Sequence, residues 1–365
     1  MTMSWEENVR RVSPYVAGEQ PKDPKIIKLN TNECPYPPAP GVAEAAKALA
    51  EDCAAMRLYP DMDAEPLASA LAKRYQVRPE QVFVGVGSDD VLSMAFLTFF
   101  TAGKRLLFPN ITYSFYDVWA DLYRIPYTMV PLREDFTIDP SNYIPGSGSF
   151  AGEEDEVGGI IFPNPNAPTG VELPLDEIEK IVAANRDKVV IVDEAYVDFG
   201  ARSALPLIGQ YDNLLVVQTF SKSRAMAGAR IGFAIGSAKL ISCLKDVKFS
   251  FNSYTMNLQT IRMGTAAVED EAYFQSLTSR IIATREKFKK DLAALGFVFP
   301  DSRTNFVFVR HPQHSGQELF EKLRERGIYV RHWNKPLIGE YLRITIGTEE
   351  EMAAVTQALK EIVNA

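Results

Sequence analysis

The sequence predicts an α/β fold, with a mostly parallel sheet covered by helices in a large domain and a smaller α+β domain after it. Three observations predict it. Apolar runs of strand length alternate with helix-period stretches between residues 81 and 236, the pattern of parallel strands joined by crossover helices. Beyond Gly236 this alternation gives way to long helical stretches and then short apolar runs. Polar turns carrying Asp, Asn, Ser and Lys follow the apolar runs, at the strand ends where open α/β sheets bind ligands. The large domain is placed at 31–250, and 1–30 joins 251–365 as an arm plus the smaller domain.

Residues 5–29 begin as a short charged helix-like stretch and continue into a Pro- and Lys-rich loop containing Pro14 and Tyr15. The prolines of 30–38 remove donors and fix the backbone, so this segment reads as an ordered arm. Helices are expected over 42–53 and 64–75, separated by Tyr59 and Pro60. A strand at 81–85, a turn through Gly87, Ser88, Asp89 and Asp90, and a helix over 91–100 follow. Such a turn presents free backbone amides, either to an anion or as simple capping. Next come a strand at 105–109, a helix at 113–122 and a strand at 127–130. The Gly/Ser and acidic stretch 146–156 is expected as a loop.

A strand at 159–162 ends in a rigid turn of three prolines and two asparagines, Asn166 among them. The helix 175–185 leads to a buried strand, 188–192, that stops at Asp193 and Tyr196. An ionised aspartate there is costly unless paired, and otherwise caps a loop. Helices at 238–249 and 256–295, a strand at 305–309, a helix at 316–326 and short runs around Arg331 and Arg343 complete the chain. Leu342, Ile344 and Ile346 share one face, so Arg343 projects from the other as an edge gatekeeper or an anion receptor.

Composition limits the function. The 365 residues are 46% hydrophobic and 24% charged, with a net charge of -8. That length supports a sizeable core, and the charge argues against a nucleic-acid or anionic-membrane partner, since either would need a basic face. Residues 1–14 carry Glu6, Glu7, Arg10 and Arg11 without an apolar centre, so they do not read as a signal peptide. No apolar run is long enough to span a bilayer. Cys34, Cys53 and Cys243 lack the spacing of a zinc site or disulfide framework, so no metal is expected and the compartment reads as reducing cytosol.

The chemistry concentrates at 219–232. Lys222 follows Thr219 and Ser221 past an apolar run of strand length, and Arg230 lies eight residues on between two glycines. Lys222 alone reads first as a solvated surface group, as most lysines after a strand are. With two hydroxyls and a guanidinium to hold a phosphate, its amine is free to form an imine with an aldehyde, and the ligand so described is pyridoxal 5′-phosphate.

Across its whole length the chain resembles a fold-type I pyridoxal-phosphate aminotransferase. The motifs stand in order: 87–90, Tyr113, 164–170, 193–196, Ser221 with Lys222, Arg230 and Arg343. Within that superfamily it resembles the histidinol-phosphate aminotransferases, through 13–15, 29–33, 58–60, and Arg331 paired with Arg343. Asp90 departs from the family's usual Glu, and the acidic stretch near Glu153 is atypical.

The resemblance implies roles. Lys222 would form the imine and carry the substrate's proton, with burial and a cation such as Arg230 lowering its pKa. Asp193 would pair with the pyridine nitrogen, Asn166 and Tyr196 with the ring's 3′ oxygen, and Tyr113 would stack on the ring. Ser88 and Asp89 would join Thr219, Ser221 and Arg230 at the phosphate, and Tyr59 would reach the cofactor of the other subunit in a homodimer. Arg343, Arg331 and Tyr15 would hold the anionic groups of small-molecule substrates, L-histidinol phosphate and 2-oxoglutarate. Similar motifs occur in enzymes that transaminate aromatic amino acids or decarboxylate threonine phosphate. A non-catalytic regulator half would bring a helix-turn-helix domain, for which 1–29 is too short. A dinucleotide fingerprint fails because Asp90 stands where its third glycine would be.

Overall fold

The computed structural model describes residues 5–16, 18–23, 25–147 and 156–364. Most of the expected loop at 146–156 lies outside these residues. After β1 (Ile27–Lys28), helices α1 (Pro40–Glu51) and α2 (Glu65–Tyr75) lead to β2 (Val82–Gly85) and α3 (Ser88–Phe99). Then come β3 (Arg105–Pro109), α4 (Tyr116–Tyr123), β4 (Tyr127–Val130), β5 (Val157–Pro163), α5 (Leu175–Ala184), β6 (Val189–Asp193), β7 (Leu214–Thr219) and β8 (Gly232–Gly236). Their strands form one sheet in the order β2-β8-β7-β6-β5-β3-β4. Only β8 runs against its neighbours, and the other pairs are parallel.

Near-continuous apolar runs build this sheet because both faces are covered. Successive side chains point to opposite faces, and the core divides accordingly. Val190, Val192, Leu214 and Val216 enter one hydrophobic cluster, whereas Ile191, Leu215 and Val217 enter another with Phe96, Tyr116 and Trp119. Helix α4 starts at Tyr116 rather than at the expected 113, which leaves Tyr113 in the loop before it.

Helices α6 (Ala238–Phe251), α7 (Leu258–Glu269) and α8 (Glu271–Ala294) follow. The continuous helical stretch expected over 256–295 is thus two helices, because Asp270 ends α7 and accepts the Tyr273 amide at the start of α8. Helix α7 packs on α1 and α2. The chain then builds β9 (Phe306–Val309), α9 (Gly316–Glu325), β10 (Ile328–Tyr329), β11 (Arg331–His332), β12 (Leu342–Thr345) and α10 (Glu349–Val363). Strand β12 lies between β11 and β9 in an antiparallel sheet. Strand β1 pairs in parallel with β10, tying the start of the chain to its end. Among the described residues no helix is long and apolar enough to cross a membrane.

Candidate active site

The carboxyl ends of β2, β6 and β7 deliver the chemistry. After β2 the chain turns through Gly87 at φ +86° into α3. A Cβ on Gly87 would come within 2.5 Å of Arg230 Nη2, so glycine is what lets the guanidinium lie against the turn. Asp90, the residue that departs from the family pattern, closes the turn by accepting the Val86 amide at 2.9 Å. No side chain caps the start of α3, so its first amides lack the side-chain partner that a capping residue supplies. The Asp89 carboxylate accepts the Tyr113 hydroxyl at 2.8 Å and pairs with Arg230 Nη2 at 3.1 Å.

Strand β7 ends at Thr219, whose hydroxyl accepts the Ser221 amide at 3.1 Å and donates to Ser221 Oγ at 3.0 Å. Arg230 Nη1 lies 3.5 Å from the same Ser221 oxygen. Lys222 Nζ donates to the Thr31 carbonyl at 3.0 Å and sits 5.9 Å from the Tyr196 ring centre. Burial is the main reason its pKa falls to about 8, followed by the Arg343 charge, while Glu33 and Asp89 oppose the shift. The cation acting most on Lys222 is therefore Arg343; Arg230, the one expected, has a smaller effect.

Strand β6 ends at Asp193, which accepts the Tyr116 hydroxyl at 2.8 Å and the Ala195 amide at 3.2 Å. Burial raises its pKa to about 6 despite both donors. Tyr196 accepts a 2.8 Å bond from Asn32 Nδ2. Asn166 Nδ2 donates to the Ile111 carbonyl and to Thr169 Oγ1, both at 3.0 Å, whereas its buried Oδ1 has no partner.

Ser88, Asp89, Tyr113, Asp193, Tyr196, Thr219, Ser221, Lys222 and Arg230 line one cavity of about 180 Å³. A second, of about 300 Å³, shares Lys222 with it and adds Tyr15, Arg331 and Arg343. Because β12 is the middle strand of its sheet, Arg343 is no edge gatekeeper. Its Nη2 donates to the Asn30 carbonyl at 2.9 Å, and its buried Nε has no partner. The Trp333 ring centre lies 5.4 Å from the Arg331 guanidinium and 5.3 Å from that of Arg343. Tyr15 stacks on Phe115 at 4.1 Å. Tyr59 stands apart, 81% exposed, stacked on Tyr254 at 4.6 Å and lining a third cavity with Arg230.

Comparison with known proteins gives the family. The family model for aminotransferase class I and II matches residues 24–359. The chain belongs to that family. It is 54% identical to a histidinol-phosphate aminotransferase of a Marinomonas species, over 99% of this chain and 100% of the relative. It is 51% identical to one from Lactococcus lactis, over 98% of each. A crystal structure of histidinol-phosphate aminotransferase from Sinorhizobium meliloti in complex with pyridoxal-5′-phosphate superposes with a TM-score of 0.83, at 25% identity, over 93% of this chain and 91% of that one.

Three features of this aminotransferase site escaped sequence reasoning. Tyr116, on Asp193, sits in an aromatic run that reads as core. Trp333 and Lys335 reach the arginine-lined cavity from a loop without periodicity. The Thr31 carbonyl is a backbone group, so no residue type marks its place beside Lys222.

Proposed function

We propose that this aminotransferase moves an amino group between L-histidinol phosphate and 2-oxoglutarate, giving imidazole-acetol phosphate and L-glutamate, with pyridoxal 5′-phosphate as cofactor. It would serve histidine biosynthesis by a ping-pong sequence. The carrying observation is the placement of the Lys222 amine in one cavity with Arg331 and Arg343. Identity near 50% along the full chain with histidinol-phosphate aminotransferases supports the substrate.

The residues present suit the cofactor. A buried carboxyl (Asp193), an unpaired buried amide oxygen (Asn166 Oδ1) and an uncapped helix start beside Arg230 are each costly alone and each complementary to a group of pyridoxal phosphate. Thr219, Ser221, Arg230 and the amides of Ser88 and Asp89 would hold its phosphate, Tyr113 would cover its ring face, and Asn166 and Tyr196 would meet its 3′ oxygen. Bound there, the cofactor supplies the electron sink that acidifies the carbon bearing the amino group.

The chain's own groups do the rest. Asp193 holds the proton at the ring nitrogen. The Lys222 amine, with a pKa near 8, is uncharged often enough around neutral pH to take a proton from the substrate carbon and return it. Arg343 and Arg331 would grip the substrate phosphate by charge-assisted hydrogen bonds, with Tyr15 beside them, and Arg343 would take a carboxylate of glutamate in the other half-reaction. The working unit in this reading is a cytoplasmic homodimer, each copy placing Tyr59 at the other's phosphate site. The exposure of Leu58, Tyr59 and Phe251, at 59%, 81% and 71%, supports such a contact.

Arg331→Ala tests the substrate. Loss of a hydrogen bond to a charged group costs roughly 1.5–3 kcal/mol, so KM for histidinol phosphate should rise by about tenfold or more while phenylalanine is barely affected. Equal losses for both would remove the phosphate role.

A further inference from the structure

We propose that Tyr116 is a positioning residue for the reaction, acting through Asp193. The inference rests on the cofactor reading above. Tyr116 is fully buried on the first turn of α4, and its hydroxyl donates to Asp193 Oδ2 at 2.8 Å. The ring is fixed from several sides, by Phe96, Phe108, Tyr113 and Trp119. A hydroxyl sealed inside that aromatic cluster has Asp193 as its polar outlet. The Ala195 amide occupies Oδ1 at 3.2 Å, so the carboxylate is held at both oxygens and cannot rotate freely.

The consequence is electrostatic as well as geometric. The other groups that face Asp193 are Asp89 from α3, Tyr113 from the loop before α4, and Tyr196 beyond β6, with Lys222 across the cavity. Burial and Asp89 both favour the neutral acid, while Tyr116 and the Ala195 amide favour the carboxylate. A carboxylate that loses its phenol donor becomes more basic and takes a larger share of the proton it holds with a ring nitrogen. Tyr116 thereby sets how far that proton stays on the ring.

The experiment is a double-mutant cycle of Tyr116→Phe and Asp193→Asn in the cofactor-loaded enzyme. It reads the pH midpoint of the bound cofactor's visible absorbance, together with kcat, KM and Tm. Tyr116→Phe should raise the spectral midpoint and lower kcat about tenfold, as one charge-assisted hydrogen bond implies, with KM changed less than about twofold. In the Asp193→Asn background it should add almost nothing. A lowered Tm with an unmoved midpoint, or losses that multiply independently, would overturn the proposal and leave Tyr116 as core packing. Should Tyr116→Phe not fold, 3,5-difluorotyrosine at position 116 replaces it. That stronger donor of nearly unchanged shape must move the midpoint downward, and an unmoved midpoint again overturns the proposal. The spectral titration needs no amino donor. Failure of histidinol phosphate as a substrate would therefore sink the function reading alone, and failure to take up pyridoxal phosphate would sink both.

Discussion

Asp193 and Glu194 are adjacent carboxyls with different surroundings. Asp193 meets a phenol and the cavity, whereas Glu194 accepts bonds from Ser203 Oγ, the Ala204 amide and Gln218 Nε2 at 2.6–2.8 Å. Burial nevertheless raises Glu194 to a pKa of about 7 from an ordinary 4.5. The folded chain then keeps a proton that the unfolded chain has released between about pH 4.5 and 7. Stability from this group is complete below that window and is lost as pH rises through it. Melting temperatures of the cofactor-free protein across the window should show wild type losing ground to Glu194→Gln as pH rises; a pH-independent difference would remove Glu194 from the titration. Lys222 works in the opposite sense. Its pKa is lowered to about 8 from an ordinary 10.5, so the folded chain sheds its proton earlier than the unfolded one and gains stability between those values.

At the scale of elements, the site depends on how closely β8 approaches the turn after β2. Gly232 pairs with Gly85 across the sheet, and a Cβ there would meet the Ser88 amide nitrogen at 2.2 Å and the Gly87 carbonyl carbon at 2.3 Å. Those are backbone atoms and cannot step aside. Gly232→Ala should cost about 3 kcal/mol or more and weaken uptake of inorganic phosphate or cofactor with it. Unchanged melting and unchanged affinity would refute the close approach. Much of this architecture was legible in the sequence, because strand ends carrying Asp193, Lys222 and Gly87 break long apolar runs with groups that packing alone does not explain. The start of α4 was not, since aromatic residues at 113, 115 and 116 run from loop into helix without a capping residue to divide them. Nor was the pairing of β1 with β10, as two-residue strands have no period to read. The placement of α7 on α1 and α2 was hidden for another reason. An amphipathic helix shows that one face is covered, but not by what.

For the whole molecule, the proposed sharing of Tyr59 makes a prediction that neither chain alone can meet. Lys222→Ala and Tyr59→Ala chains should each be poorly active, yet a mixed dimer holds one site with both residues intact. If chains pair at random in twofold dimers, co-refolding should restore about a quarter of wild-type activity. Activity no higher than the average of the parents would confine each site to one chain.

The segment from Ile27 to Asn32 has a consequence for how the protein is made. The Asn30 carbonyl receives Arg343, and Asn32 bonds Thr345, across 313 residues of sequence, while the Thr31 carbonyl holds Lys222. A ribosome extrudes these carbonyls within the first tenth of the chain and their last partners within the final tenth. Domains otherwise fold in order of synthesis, so the β2–β8 sheet can form while the arm is still waiting. A message cut short before Arg343 would therefore yield a chain that keeps Lys222 and Arg331 but lacks Arg343, one of the two arginines proposed to hold the substrate.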